Sequence, residues 1–399
     1  MAARVTALIN PALLRWARET AGYSQEEAAE KLGQEPETYR EWETGESPFS
    51  MAQLRKAADL FKRPMAVFYL AEPPQGFQVM RDFRRLPGMG FRKFPVGLNL
   101  EIRSAVELRD LAIELSGDLN EAIPAFNLWA NIDENTDVIG ERIRSYLGVS
   151  STLQKSWKDA DGRTAFNAWR TRIEAIGTLV FQATRFASDE ASGIAIWGEP
   201  FPTIVINRKD APTRRTFSLL HELAHLALRV SGVSDLETDA LRPPEDQRIE
   251  VFCNAVAAAA LMPRDALYSM AGVVGKPIVP REWSDAEIAD MARSFGVSRE
   301  AIVRRLLTLD LATADFYGRK RAQYSAEHAA NVARARERAQ ASDMRRNMPQ
   351  ETISNLGRPL VKMVLNNYYQ DRITLSDVSG YLTLKTKHLP RLEQMAGTR

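Results

Sequence analysis

The chain has 399 residues, 45% of them hydrophobic and 26% charged, and its 53 basic and 51 acidic side chains leave a net charge of only +2. Such a chain is long enough for two or three soluble globular domains. Its single cysteine, Cys253, excludes an intrachain disulfide, and neither a signal peptide in MAARVTALINPALLRWARE nor an apolar run near membrane-spanning length is present, so a cytoplasmic protein without a membrane partner is expected.

Residues 1–72 read as short helices in close succession. The first runs from Pro11 to Ala21 and ends near Gly22. Ser24 and Glu27 form a capping box. The helix that they open runs through Ala28, Ala29 and Leu32 to Gly33, a third covers Glu35–Glu43 and stops near Gly45, and a fourth spans Ser50–Phe61 before Pro64. Two helices joined by a short glycine-containing turn are the helix-turn-helix pattern. The stretch LLRWARETAGYSQEEAAEKLGQEPETYREWETGE resembles the Xre/Cro-type repressor domain over nearly its full length.

DNA binding does not follow directly from that fold. The third helix carries Glu35, Glu37, Glu41 and Glu43 against one Arg40, and residues 1–72 hold nine basic and eleven acidic side chains, a net of −2. Phosphate contact ordinarily needs a basic face. Gln25, Lys31 and Arg40 are the candidate DNA contacts, and a helix-turn-helix used for protein contact or dimerisation is the competing reading.

Residues 73–158 show no recognisable chemistry. Pro73, Pro74, Gln75 and Gly76 read as a linker. Arg81, Arg84, Arg85, Arg92 and Lys93 form a basic stretch, read as a solvated linker in preference to a phosphate-contacting arm. Helices are expected at Leu98–Leu119 and Val138–Leu147, with Trp129 and Trp157 as core residues.

From residue 159 the pattern changes. A helix is expected at Arg163–Ile176 and strands at Thr178–Gln182, Ser192–Trp197 and Phe201–Asn207, the last rich in β-branched Thr203, Ile204, Val205 and Ile206. Pro212 then opens a helix predicted to reach Val230 and to contain His221-Glu222-Leu223-Ala224-His225. Residues i and i+4 share a helix face, so two imidazoles can grip one ion, and the intervening Glu222 is placed to act as general base on its water. A small sheet followed by such a helix is the order of zincin-type metallopeptidases, in which an edge strand pairs with extended substrate; Thr203–Asn207 is the candidate edge.

A third ligand is needed. The remaining histidines, His328 and His388, are far along the chain, which leaves the acidic residues Asp235, Glu237, Asp239, Glu245, Asp246 and Glu250. Asp235 to Asp246 are expected in a loop, where a ligand is poorly held, whereas Glu250 falls within a predicted helix, Gln247–Leu261. Two His and one Glu with an open position form a catalytic zinc set, and Mn²⁺ tolerates the same donors. Here RRTFSLLHELAHLAL followed by IEVFCNAVAAAALMP resembles the ImmA/IrrE metallopeptidases, whose second helix carries E-x-x-A-N-x-F-A-x-x-L-L-M-P. Glu250, Asn254, Ala257, Leu261, Met262 and Pro263 match it, while Cys253, Val256 and Ala260 replace Ala, Phe and Leu at packing positions. The resemblance implies His221, His225 and Glu250 as metal ligands and Glu222 as catalytic base. Asn254, one turn beyond Glu250, suits either a hydrogen bond that orients a ligand or a helix-to-loop bridge, and Cys253 reads as a small buried hydrophobe.

Downstream, Ala286–Thr308 repeats the helix-turn-helix spacing, with Gly296 and a Ser298 cap, and is expected to serve structure or substrate docking. Arg319–Asn347 reads as a long polar helix within the most basic run of the chain, and Ile373–Met395 as two short helices suited to a partner or oligomer contact. The expected fold class is α+β and mostly helical. It comprises a five-helix Xre-like domain (1–72), a helical connector (73–158), a zincin-like domain with a small sheet (159–268), a helix-turn-helix-like subdomain (269–316) and a helical C-terminal region (317–399). The implied function is zinc-dependent endoproteolysis of a protein substrate, an Xre-type repressor in a bacterial or phage circuit, with DNA contact through residues 1–72 and homo-oligomerisation as further expectations. The alternative is a transcriptional regulator or antitoxin-like DNA-binding protein whose peptidase fold is a sensor or scaffold.

Overall fold

A computed structural model describes residues 6–74, 81–82, 94–119, 123–159, 161–234, 243–274, 277–340 and 347–397. The chain divides into two compact units, Met1–Met80 with Met89–Val106, and Arg81–Gly88 with Glu107–Arg399.

The first unit contains α1 (Pro11–Ala21), α2 (Gln25–Leu32), α3 (Pro36–Thr44), α4 (Met51–Phe61) and a fifth, 3₁₀ turn at Met65–Tyr69. Local chemistry sets the ends. Asn10 caps α1, and Ser24 and Ser50 open α2 and α4 with reciprocal capping boxes. Gly22 closes α1 at φ +89°, and a Cβ there would also lie 2.8 Å from the Asn99 amide, so glycine is required twice over. Leu14, Ala17, Ala28, Leu32, Tyr39, Trp42, Leu54, Phe61 and Phe68 fill the core. The last carbonyls of α4, those of Phe61 and Lys62, accept bonds from Arg103 at 2.6 and 2.7 Å, a cation at the negative end of a helix. One expectation is corrected. Glu43 belongs not to the solvent face of α3 but to the interior, where it is 2% exposed and pairs with Arg18 at 2.7 Å.

β1 (Arg81–Asp82) opens the second unit, and α5 (Val96–Leu119) contributes its residues from Glu107 onward. There follow α6 (Thr136–Tyr146), α7 (Ser151–Ser156), α8 (Arg163–Glu174), β2 (Leu179–Ala183), β3 (Gly193–Ile196), β4 (Thr203–Asn207), α9 (Pro212–Ala227), β5 (Gly232–Ser234) and α10 (Pro244–Leu261). The remainder is helical: α11 (Arg264–Ala271), α12 (Asp285–Phe295), α13 (Arg299–Thr308), α14 (Ala314–Gln340), α15 (Met348–Leu356), α16 (Arg358–Tyr369), α17 (Leu375–Tyr381), a 3₁₀ turn at Thr386–His388 and α18 (Leu389–Ala396).

The sheet order is β1-β5-β3-β4-β2, with β2–β4 and β1–β5 parallel and β3 antiparallel to both neighbours. This corrects a second expectation: Thr203–Asn207 lies inside the sheet, hydrogen-bonded on both sides, and offers no free edge to a peptide. Its five residues are all buried, which explains why an unbroken β-branched run, and not an alternating one, encodes it. A third correction concerns Trp129, which is 54% exposed; the Arg142 guanidinium stacks 4.2 Å from its ring and donates to its carbonyl at 3.0 Å. Trp157 is buried, edge-on to Trp169.

Helix α10 is apolar on most of its circumference and so must be wrapped on several sides. It packs on α9 and on α6, which approaches so closely that a Cβ at Gly140 would lie 2.7 Å from the Ala259 side chain. The core of this unit is continuous from Ile139 and Trp169 through Leu219, Leu223 and Phe252 to Phe295, Ile302 and Leu306 of α12 and α13. Among the described residues no helix is long and apolar enough to cross a membrane.

Candidate metal centre

Helix α9 begins at Pro212, whose missing N–H costs nothing in a first turn, and crosses the sheet against β3 and β4. Leu219, Leu220, Leu223, Ala224 and Leu226 are each 0% exposed, and the same burial draws in His221, Glu222 and His225. Their i, i+4 spacing puts the two imidazole Nε2 atoms 3.0 Å apart. Helix α10 delivers Glu250, whose Oε1 lies 3.1 Å from His225 Nε2 and whose Oε2 lies 3.5 Å from His221 Nε2. Among the described residues these three form the group of His, Cys, Asp and Glu side chains spaced to hold an ion.

The arrangement fits a divalent cation. Donors about 2.0–2.1 Å from a tetrahedral zinc ion lie roughly 3.4 Å from one another, and the observed separations of 3.0, 3.1 and 3.5 Å bracket that value. Two imidazole nitrogens and a carboxylate facing one point have too few protons to satisfy each other. Glu250 Oε2, His221 Nδ1 and the Asn254 amide nitrogen are buried without a hydrogen bond. Electrostatics point the same way. Burial alone would raise the Glu250 carboxyl, but attraction to His221, with hydrogen bonds from both imidazoles, brings it down to about 2. Burial opposes protonation of His221, yet Glu250 outweighs it and raises the imidazole above its ordinary range. The carboxylate is thus held ionised against the two imidazoles.

Glu222 sits beside this cluster in a different state. It is fully buried, neither oxygen has a hydrogen bond, and burial pushes its carboxyl up to about 8, opposed by His221 and aided by the Glu250 charge.

Two neighbours escaped the sequence reading. Ser234 on β5 places its Oγ 3.2 Å from His225 Nε2, and Gly193 on β3 leaves the space that the Glu222 side chain fills. A three-residue strand directly after a helix shows no period to detect, so only the tight sheet packing could have found them. Asn254 is buried at 9% exposure; Cys253 is fully buried, as a hydrophobe would be. Glu245 and Asp246 are not loop residues: Pro244 starts α10 earlier than expected and puts both in its first turn, outside the cluster. Asp235, Glu237 and Asp239 lie outside the described residues, as do Arg84, Arg85, Arg92 and Lys93.

In the first unit the candidate DNA contacts are separated by their partners. Gln25 donates to Glu43 Oε2 at 2.8 Å and is held by the interior carboxylate. Arg40 is exposed and pairs with Glu37 one turn earlier; Lys31 is exposed.

Comparison with protein families matches residues 175–307 to the IrrE N-terminal-like domain of the M78 peptidases and residues 14–68 to the helix-turn-helix family HTH_3. No curated protein matches. Among solved structures the chain is similar to a Mycobacterium tuberculosis transcriptional regulator, with 17% identity and a TM-score of 0.27, over 43% of this chain and 46% of that one, so it spans less than half of that protein's length.

Proposed function

We propose that this chain, which joins an IrrE-like M78 peptidase domain to an Xre-type helix-turn-helix domain, is a metal-dependent endopeptidase that cleaves a protein substrate, an Xre-type repressor, in a cytoplasmic regulatory circuit. One observation carries the reading: His221, His225 and Glu250 converge in a buried cluster with the buried, unbonded Glu222 carboxyl beside it. His221, His225 and Glu250 would hold the ion, with Zn²⁺ favoured by two nitrogens and one oxygen and Mn²⁺ tolerated. When bound, the ion supplies Lewis acidity that polarises a scissile carbonyl and makes water a stronger acid. Glu222 takes the proton from the attacking water and delivers it to the leaving amine. The apolar flanks of α9 and α10 exclude bulk water and keep the carboxylate basic.

The experiment combines elemental analysis with repressor cleavage. Purified wild type should carry about one divalent ion per chain, Glu250→Ala should lose it, and co-expressed Xre-type repressor should be cut by wild type alone. Full metal content in Glu250→Ala would move the third ligand to Asp235, Glu237 or Asp239. The helix-turn-helix match favours a second reading, in which the first unit regulates through DNA and the peptidase fold is a sensor or scaffold. A regulatory phenotype that survives Glu222→Gln without any cleavage would select it.

A further inference from the structure

The sheet side of the site is built by two residues that face one another. Gly193 on β3 and Ser234 on β5 are direct partners across an antiparallel pair. Directly opposed residues project from the same face of a sheet, with Cβ positions about 4.5–5.5 Å apart. For this pair that face is the one carrying Glu222. A Cβ built on Gly193 would lie 2.4 Å from Glu222 Oε1 and 2.7 Å from its Cγ, so any side chain there occupies the position of the carboxylate itself. The backbone φ of Gly193 is not positive, so the glycine is required by this approach and not by its own conformation. Beside it the Ser234 hydroxyl is fully buried and lies 3.2 Å from His225 Nε2. The Ser234 carbonyl is fixed by the Ser192 amide at 3.0 Å and the Ser192 hydroxyl at 3.3 Å, so the strand cannot slide without breaking both bonds.

We propose that the Gly193–Ser234 pair positions the general base: glycine leaves the volume in which the Glu222 carboxylate sits, and serine, directly opposite, closes the same face with a small polar side chain against the His225 ring. The proposal rests on the reading of Glu222 as the base. The Ser234 side chain projects from the same sheet face as the Gly193 position, and its hydroxyl lies beside the His225 ring, next to the volume that Glu222 fills. Neither residue needs to contact substrate; both act through Glu222.

Two readouts test it, one of them independent of activity. In metal-free full-length protein at mildly acidic pH, the infrared C=O stretch of the buried protonated carboxyl is assigned by its loss in Glu222→Gln. Ser234→Ala and Gly193→Ala should each shift that band, and Ser234→Thr, which keeps the hydroxyl, should restore it. In loaded enzyme both alanine variants should retain metal, keep KM and lose kcat by about 10–100-fold, the range typical of groups that orient a functional side chain. Glu222→Asp withdraws the carboxylate by one methylene, so Gly193→Ala should cost far less in that background than in wild type. An unmoved infrared band in both alanine variants, or a Gly193→Ala penalty equal in the wild-type and Glu222→Asp backgrounds, overturns the proposal. Full activity in Glu222→Gln would instead overturn the assignment of the base, and the infrared band would still show whether the pair sets the carboxyl.

Discussion

Each unit of this protein buries a glutamate, and the two are treated in opposite ways. In the first unit Glu43 is saturated: Arg18 donates to it through Nε at 2.7 Å and Nη2 at 3.1 Å, and Gln25 adds a third bond at 2.8 Å. In the second unit Glu222 is deeper still and has no hydrogen bond at either oxygen. A buried carboxylate with all its bonds made ties α1, α2 and α3 together, because removing any partner strands a charge. A buried carboxyl with none costs stability, and a fold that keeps one has a use for its raised proton affinity. The contrast separates fold-holding from chemistry more sharply than burial alone.

The contrast breaks most visibly at Glu222. Glu222→Gln keeps the shape and should reduce peptide cleavage by about 10²–10⁴-fold, the usual worth of a general base, with metal content and thermal stability undiminished. Equal cleavage rates by variant and wild type on the same gel would end the assignment. Glu43→Ala should do the reverse. It removes the buried partner of Arg18 and leaves that guanidinium only Glu19 at 3.3 Å and the Tyr23 carbonyl at 3.0 Å, so the first unit should lose about 1.5–3 kcal/mol in a denaturant titration while repressor cleavage in trans, measured below that unit's transition, stays near wild type.

A pH titration sharpens the same comparison. The Glu222 carboxyl is raised in the folded protein, so it favours folding below the unfolded carboxylate pKa, and that contribution is lost as pH rises to about 8. Metal-free wild type should therefore lose stability between about pH 5 and pH 8, by at most about 1.4 kcal/mol per pH unit from this group. Chemical denaturation at several pH values should show a flatter profile in metal-free Glu222→Gln, and identical profiles would contradict the raised carboxyl. The smallest effect concerns DNA. With Arg40 paired with Glu37, Lys62 with Asp59 and a net charge of −2 over residues 1–72, the domain carries no net positive charge with which to displace counterions. The first unit should bind duplex weakly, with a shallow dependence of log K on log salt, since each phosphate contact adds roughly −0.9 to the slope. Tight binding with a steep slope, measured by titration at two salt concentrations, would show that Lys31 and its neighbours make a phosphate-binding face after all.

Much of this was legible in the residues. Capping serines, helix-ending glycines and a first-turn proline are local signals, and α1 to α4 begin and end within a residue or so of where those signals put them. The i, i+4 imidazoles are equally local, and so is the apolar character of α10. What was hidden depends on partners distant in the chain. Glu43 looked like a surface residue until Arg18 was brought to it from 25 positions away. Trp129 looked like core, but Arg142 covers it from outside. Thr203–Asn207 had the composition of a strand, but composition says nothing of which neighbours it finds. Ser234 and Gly193 gain their meaning only from β-pairing, which no periodicity in three or four residues announces.

Cys253 has a consequence of a more practical kind. It is the chain's single thiol, lies fully buried one turn beyond Glu250, and is held well above the ordinary thiol range by burial and by the Glu250 and Glu222 charges. Only the thiolate reacts with an alkylating reagent, and only once exposed. A native sample therefore carries a built-in stopwatch: one mass shift, at one place, once the core around α10 has opened. Its rate reads the opening of the packing that α10 makes with α6 and α9 without any added label, and whatever clamps that packing slows the clock.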